Sequence, residues 1–184
     1  MVALELVLKC PLAGKLLPQA ISIVHRLVIH AAVPNTEASL QGVLVIIEAT
    51  ATGNEDVQLR GLQCIMPLLT HYECHGAVLY RAYEVCFRMV ASRGATVVNA
   101  AIAIIRQQVI WLFEKVIEEE NEAEASTDHN VDQLALIDVQ KDGQEDKIRM
   151  RSFAADAFVI LQDIALLAND EKALVLPMTA LNKR

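Results

Sequence analysis

The sequence predicts an all-α protein of 184 residues. Apolar residues recur in successive stretches at spacings of three and four, which is the pattern of a helix with one buried face. Only seven glycines and five prolines interrupt the chain, and 54% of its residues are hydrophobic. A chain of this length and composition fits one globular domain with a sizeable core.

The predicted helices follow one another with short connections. Residues 1–9 are typical of the end of a helix that begins upstream, and a second helix extends from Pro11 to about Ala32. A third covers about 37–50, a fourth begins after the helix-capping residue Asn54, and a fifth covers about 76–91. No stretch predicts a strand, so we expect no sheet.

The longest predicted helix, at 95–119, is apolar around most of its girth. A helix of this kind normally has neighbours on two or more sides. We therefore expect it to be the central helix of the domain, with Ile105 and Phe113 fully buried. Its apolar residues are Val97, Val98, Ala100, Ala101, Ile102, Ile104, Ile105, Val109, Trp111, Leu112, Phe113 and Val116.

The second, fourth and sixth helices are predicted to begin near residues 15, 55 and 95. A period of about 40 residues, with an antiparallel helix pair in each unit, is typical of armadillo and HEAT repeats. The fold class is therefore an armadillo/HEAT-like right-handed stack of antiparallel helix pairs, with about seven helices.

Charge divides the chain into three parts. Residues 118–146 contain eleven acidic residues and one basic residue, whereas the remainder contains twelve acidic and fifteen basic residues. We expect armadillo-like repeats over 1–117, an acidic flexible insert over 118–146, and over 147–184 a final helix on the repeats and the start of the next region. A nearly neutral body without a basic face excludes nucleic acid as a partner.

No catalytic, cofactor-binding or metal-binding motif occurs in the sequence. Cys10, Cys64, Cys74 and Cys86 have no metal or disulfide spacing, and we expect them to pack as small apolar side chains. His71, Cys74 and His75 are the one cluster of metal-ligating types, but zinc normally needs a fourth ligand. We expect no signal peptide and no membrane span, which indicates an intracellular protein.

Arginines recur on the predicted helices and allow two interpretations. They can form surface ion pairs with Glu55, Glu84 and Glu114, or they can form a ridge that binds a partner. If the domain self-associates, the candidate residues are the exposed edge of the 95–119 helix and two arginines that flank it. The candidates are Arg106, Gln107, Ile110, Trp111, Arg81 and Arg88.

Several short motifs occur in a distinctive order, ending with Asp156-Ala157-Phe158 and Leu161-Gln162-Asp163. In that order they resemble the DCB (dimerisation and cyclophilin binding) region of the large Arf guanine-nucleotide exchange factors. Gln162-Asp163 favours a branch of Golgi scaffolds that lacks the catalytic Sec-seven domain. The earlier motifs are EDVQ at 55–58, HG at 75–76, VCFR at 85–88, NAA at 99–101, IRQ at 105–107 and FEKV at 113–116.

This resemblance implies a non-catalytic assembly domain without cofactors. The implied partners are Arf and Arf-like GTPases, Dopey-type proteins, the protein's own downstream domains and a second copy of itself. The implied location is cytoplasmic, with peripheral membrane contact at the Golgi, the trans-Golgi network and endosomes. Two alternatives stay open: the regulatory domain of an active Sec-seven exchange factor, and an unrelated HEAT-like adaptor such as a karyopherin-type carrier.

Overall fold

The computed structural model describes residues 13–125, 134–141, 144–169 and 171–176. Its helices hold more than half of the 184 residues, and the all-α prediction is confirmed. The helix predicted over 1–9 lies outside the described residues. The elements are α1 (Ala13–Ile29), α2 (Glu37–Ala49), a 3-10 turn (Thr50–Thr52), α3 (Glu55–His71), α4 (Gly76–Val90), α5 (Ala95–Ala125), β1 (Leu134–Lys141), β2 (Gln144–Arg151) and α6 (Ser152–Ala168).

The chain divides into two compact units, and helix α5 belongs to both. The first unit contains the described residues up to Gln108, and the second extends from Val109 to Val175. In the first unit α1 packs against α3 and α2 packs against α4, while α1 also contacts α2 and α3 contacts α4. Each helix thus contacts its pair mate and the equivalent helix of the next pair, as in a HEAT-like stack.

The core of the first unit is formed by side chains from all four helices, α1 to α4. Gly61 of α3 faces Thr50 so closely that an added Cβ would lie 2.1 Å from the threonine Oγ1. This close approach of α3 to the 3-10 turn therefore requires a glycine. The fully buried side chains on α1 to α4 include Ile21, Val24, Val28, Leu40, Leu44, Ile47, Leu62, Ile65, Leu69, Leu79 and Tyr83.

Helix ends in the first unit follow from local hydrogen bonds. Thr36 and Asn54 cap α2 and α3, because their side chains accept bonds from Ser39 N (3.3 Å) and Val57 N (3.0 Å). At the end of α1, Ala32 N donates to Leu27 O (2.8 Å), and Ala31 N donates to Val28 O. This is a Schellman motif, and Ala31 holds its left-handed position with φ of 49°.

The prediction that Ile105 and Phe113 of the 95–119 helix are fully buried is wrong. Helix α5 is longer than predicted, and Phe113 is 42% exposed while Ile105 is half-buried. Helical spacing shows which residues share a face, but it does not show whether a neighbour covers that face. The burial of α5 is concentrated at Val97, Ala101, Gln108, Trp111 and Leu112.

The prediction that no sheet forms is also wrong. Strands β1 and β2 pair antiparallel, from Leu134 opposite Arg151 to Lys141 opposite Gln144. Helix α6 begins at Ser152 rather than at 147, and α5 continues to Ala125 rather than ending at 119. The sequence contained a signal for this hairpin, because Asp142-Gly143 is a favoured two-residue hairpin connection. The acidic composition of the segment obscured that signal.

Candidate protein-interaction surface

Helix α5 exposes a row of large apolar side chains within the second unit. Ile110, Phe113 and Ile117 are 58%, 42% and 56% exposed. Their spacing of three and four residues places them on one face of the helix. We call these three residues the apolar stripe. Scattered exposed hydrophobic residues are ordinary, but a row along one helix face is typical of a contact surface.

The other side of this helix half is fixed by the start of α6. Trp111 is only 7% exposed and meets Phe153 edge-to-face, with ring centroids 5.9 Å apart. Trp111 was predicted to lie on the exposed edge, and that part of the site prediction is wrong. The partner ring lies on another helix, so helical spacing alone could not reveal the contact.

Glu119 ties the same helix to the junction between β2 and α6. Its carboxylate accepts a hydrogen bond from Phe153 N (3.1 Å), and its backbone carbonyl accepts one from the Arg151 guanidinium (3.0 Å). An acidic side chain at a helix N-terminus satisfies a free N–H and favours the helix dipole. The apolar stripe is therefore displayed on a helix that is held in place from its opposite side.

The remaining predicted residues of α5 are polar and exposed. Arg106 and Gln107 both face solvent on the half of the helix that belongs to the first unit. Ile110 is the predicted residue that lies in the apolar stripe. A binding role for Arg106 and Gln107 stays a prediction.

The two flanking arginines are engaged in a charge cluster that joins α4 to α2. Arg81 donates to Glu48 (2.6 Å) and to Gln41 Oε1 (3.1 Å), while Arg88 contacts both Glu48 and Glu84. The pairing of Arg88 with Glu84 agrees with the ion-pair interpretation, whereas no local pattern pointed to Glu48. Because these arginines are neutralised within the fold, they are weaker candidates for a partner-binding site.

This cluster changes the acidity of Glu48. Partial burial alone would raise the pKa of this carboxyl group. The hydrogen bond from Arg81 and the positive charges of Arg81 and Arg88 act in the opposite direction and outweigh burial. The pKa of Glu48 therefore lies below its usual range, and the group is ionised at neutral pH.

The cysteines of the described residues are packed in the core. Cys64, Cys74 and Cys86 are buried, and burial raises the pKa of the Cys64 and Cys74 thiols to about 12. Such thiols stay protonated at neutral pH and are poor nucleophiles and metal ligands.

The histidine nearest to these cysteines has a structural contact. His71 Nδ1 lies 3.1 Å from Val28 O, which links the end of α3 to α1. Within the described parts of the chain, no three His, Cys, Asp or Glu side chains come together as a metal site.

Helix α5 is long and apolar enough to cross a bilayer by length and composition alone, over Ala95–Glu124. The core helix of a soluble domain can meet the same criterion. Arg106, Gln107 and Gln108 lie within this stretch, and an arginine in hydrocarbon costs about 2.5–3.5 kcal/mol. We therefore interpret α5 as a helix of the helical domain.

Comparison with known proteins gives one matching family and several relatives. The family model described as a Mon2/Sec7/BIG1-like dimerisation and cyclophilin-binding domain, DCB, matches residues 9–120. Protein MON2 homolog of Drosophila melanogaster is 31% identical over 147 residues, covering 78% of this chain and 8% of the relative. Monensin-resistant homolog 2 of Caenorhabditis elegans is 30% identical over 175 residues, covering 90% and 10% respectively.

A human relative extends the same pattern. Protein MON2 homolog of Homo sapiens is 26% identical over 156 residues, covering 84% of this chain and 9% of the relative. The chain thus spans about a tenth of the length of these curated relatives. The names of these relatives agree with the branch of the family that Gln162-Asp163 favours. No solved structure matches the chain significantly.

Proposed function

The chain belongs to the Mon2/Sec7/BIG1-like family of dimerisation and cyclophilin-binding domains, and on this premise we propose that it is a non-catalytic protein-interaction and dimerisation domain of a vesicle-trafficking scaffold. The proposed location of this scaffold is the cytoplasmic face of Golgi and endosome membranes, where it would be a peripheral protein. Its proposed partners are Arf or Arf-like GTPases, Dopey-type proteins and its own downstream domains. The exposed apolar stripe supports an assembly role.

The observation that carries this proposal is the exposure of Ile110, Phe113 and Ile117 on a helix whose opposite side is fixed. We assign the apolar stripe to contact with a second copy of the chain. In a symmetric pair each copy contributes the same three side chains, so the two apolar stripes bury each other. Fully burying a side chain of this kind stabilises a complex by about 1.5–3 kcal/mol, and these are already half-buried. The cost of association offsets much of the gain, so we expect a weak pair.

Sedimentation velocity of the purified 184-residue chain tests this assignment. We expect the weight-average sedimentation coefficient to rise as the chain concentration increases from about 1 to 200 μM, as a weak dimer requires. Ile110→Glu combined with Phe113→Glu should shift the dissociation constant upward by at least tenfold, because charges would replace the apolar contact. Ile29→Glu is the control, since Ile29 is also an exposed isoleucine, at 41%, but lies on α1.

Two outcomes would decide against self-association through the stripe. A chain that stays monomeric at 200 μM would remove the homodimer and leave the stripe for other proteins. An equal effect of Ile29→Glu would place the contact elsewhere. Melting curves of each variant show whether it is folded before its mass is interpreted.

The non-catalytic part of the proposal has its own test. The chain is expected to leave the rate of fluorescent nucleotide release from an Arf-family GTPase unchanged. Measurable acceleration by the isolated chain would overturn the proposal.

The alternative is the regulatory domain of an active exchange factor. The family description itself names Sec7 and BIG1 beside Mon2, which supports this second candidate. The two candidates differ in the rest of the protein, because only an exchange factor carries a Sec-seven domain. Sequencing the complete transcript distinguishes them. Family membership leaves little support for the third alternative, an unrelated HEAT-like adaptor.

A further inference from the structure

A groove in the first unit shares no residue with the apolar stripe. It runs between α1 and α3 and has a volume of about 650 Å³. Binding pockets for small ligands typically have volumes of about 300–1,000 Å³, so a short segment of peptide fits this size. The groove lining includes Ser22, Ile23, Arg26, Asp56 and Arg60.

Two arginines enter the groove from its opposite walls. Arg26 belongs to α1 and Arg60 belongs to α3, and both are exposed. Among the described residues neither has a carboxylate within the 4.0 Å of a salt bridge, in contrast to Arg81 and Arg88. Asp56 is the acidic residue of the lining, so the groove keeps a net positive charge.

One of these guanidinium groups is held in position. Arg60 Nη1 donates to Ser22 Oγ (2.8 Å), and Ser22 Oγ donates to Pro18 O (2.8 Å). A guanidinium has five N–H donors, so most of those on Arg60 remain free for a carboxylate. Holding the side chain in advance lowers the entropic cost of binding. Bidentate pairs between arginine and carboxylate are among the stronger hydrogen-bonded contacts.

An apolar side chain lies beside the two charges. Ile23 is 50% exposed and lines the same groove. A purely ionic ligand would leave this surface uncovered, whereas a peptide with one large apolar side chain would cover it.

We propose that the groove binds an acidic peptide segment of a partner protein, with carboxylates on Arg26 and Arg60 and an apolar side chain on Ile23. Such a segment is complementary to the groove in charge, and the exposed part of Ile23 supplies the adjacent apolar surface. This site is separate from the apolar stripe, so it goes beyond the proposed dimerisation.

Fluorescence anisotropy with the labelled peptide EDELLEDE tests the proposal on the 184-residue chain. We expect saturable binding that weakens as salt is raised, since exposed charge pairs are screened. Arg60→Glu and Arg26→Glu should each weaken binding at least fivefold, and Ile23→Glu should do the same. Arg93→Glu is the matched control, because this exposed arginine lies outside the groove and the variant has the same charge change. Its effect should stay below twofold.

Further variants separate the causes. The peptide EDESSEDE should bind at least threefold more weakly, because it lacks the apolar side chains. Arg60→Gln removes the charge with little change of size and keeps the test decisive if Arg60→Glu fails to fold. Ile117→Glu should leave peptide binding unchanged, so that failure of self-association is distinguishable from failure of this site. Absence of saturable binding up to 1 mM, or an equal loss with Arg93→Glu, would overturn the proposal.

Discussion

Helices α3 and α5 are both rich in apolar residues, but only α3 is used mainly as a core element. Val57, Leu62, Ile65 and Leu69 of α3 are all buried, whereas α5 leaves Ile102 and the apolar stripe substantially exposed. The two helices thus have similar chemistry and different surroundings. An apolar helix face therefore predicts a contact but does not identify the contacting partner. In α3 the partner is the rest of the fold, and for the apolar stripe we propose a second chain.

The largest expected difference between the two helices appears on truncation. Ile65→Ala should lower the free energy of unfolding by about 3–4 kcal/mol, because a fully buried side chain leaves a cavity. Phe113→Ala should cost less than about 1 kcal/mol, since substitutions of exposed residues have small effects. Urea denaturation at 1 μM, where self-association is negligible, measures both values. Equal losses would contradict the exposure of Phe113.

Replacement of Gln108 tests the buried side of α5 through an expected gain of stability instead of a loss. Gln108 is 0% exposed, and neither its amide oxygen nor its amide nitrogen has a hydrogen-bond partner among the described residues. A buried polar group without a partner costs about 1–3 kcal/mol. We therefore expect Gln108→Leu to raise the free energy of unfolding by about 1–2 kcal/mol. The exposed neighbour Gln107→Leu is the control, and a loss of stability in Gln108→Leu would reveal a hidden partner.

The contrast between these helices also explains how far sequence reasoning could reach. The buried faces of α1 and α3 were predictable because buried and exposed positions alternate along these helices, and Thr36 and Asn54 are local capping signals. The burial of Trp111 was not predictable, because Phe153 comes from a later helix. For the same reason the pairing of Arg81 with Glu48 could not be read from spacing within α4.

The stacked helices and the acidic segment that contains the hairpin are expected to contribute differently to stability. Replacing 121–144 by a short Gly/Ser linker should lower the melting temperature by only a few degrees, or about 1 kcal/mol, since a two-stranded hairpin adds little stability. Glu119, Arg151 and Phe153 remain in this variant, so the contacts that hold α5 to α6 are kept. A decrease of fifteen degrees would show that the segment is part of the core.

The charge cluster gives a smaller effect that depends on pH. Because the pKa of Glu48 is lowered, its ion pairs stabilise the fold above the ordinary glutamate pKa of about 4.3. This contribution is lost as the pH falls through the pKa of the folded state. Glu48→Gln should therefore be less stable than the parent chain at pH 7, by under about 1 kcal/mol, and the difference should close as the pH falls below the ordinary glutamate pKa. A difference between Glu48→Gln and the parent chain that stays constant from pH 7 to acidic pH would refute the linkage.

The left-handed alanine at the end of α1 reverses the usual rule for truncations. Most losses of a carbon atom remove packing, but the Cβ of Ala31 is exposed, and at φ of 49° it crowds the backbone. Glycine adopts this conformation without strain, although it loses more entropy on folding. Ala31→Gly should therefore raise the melting temperature by one or two degrees, consistent with roughly 0.5 kcal/mol. Removal of this methyl group would then stabilise the fold, whereas removal of buried methyl groups would destabilise it.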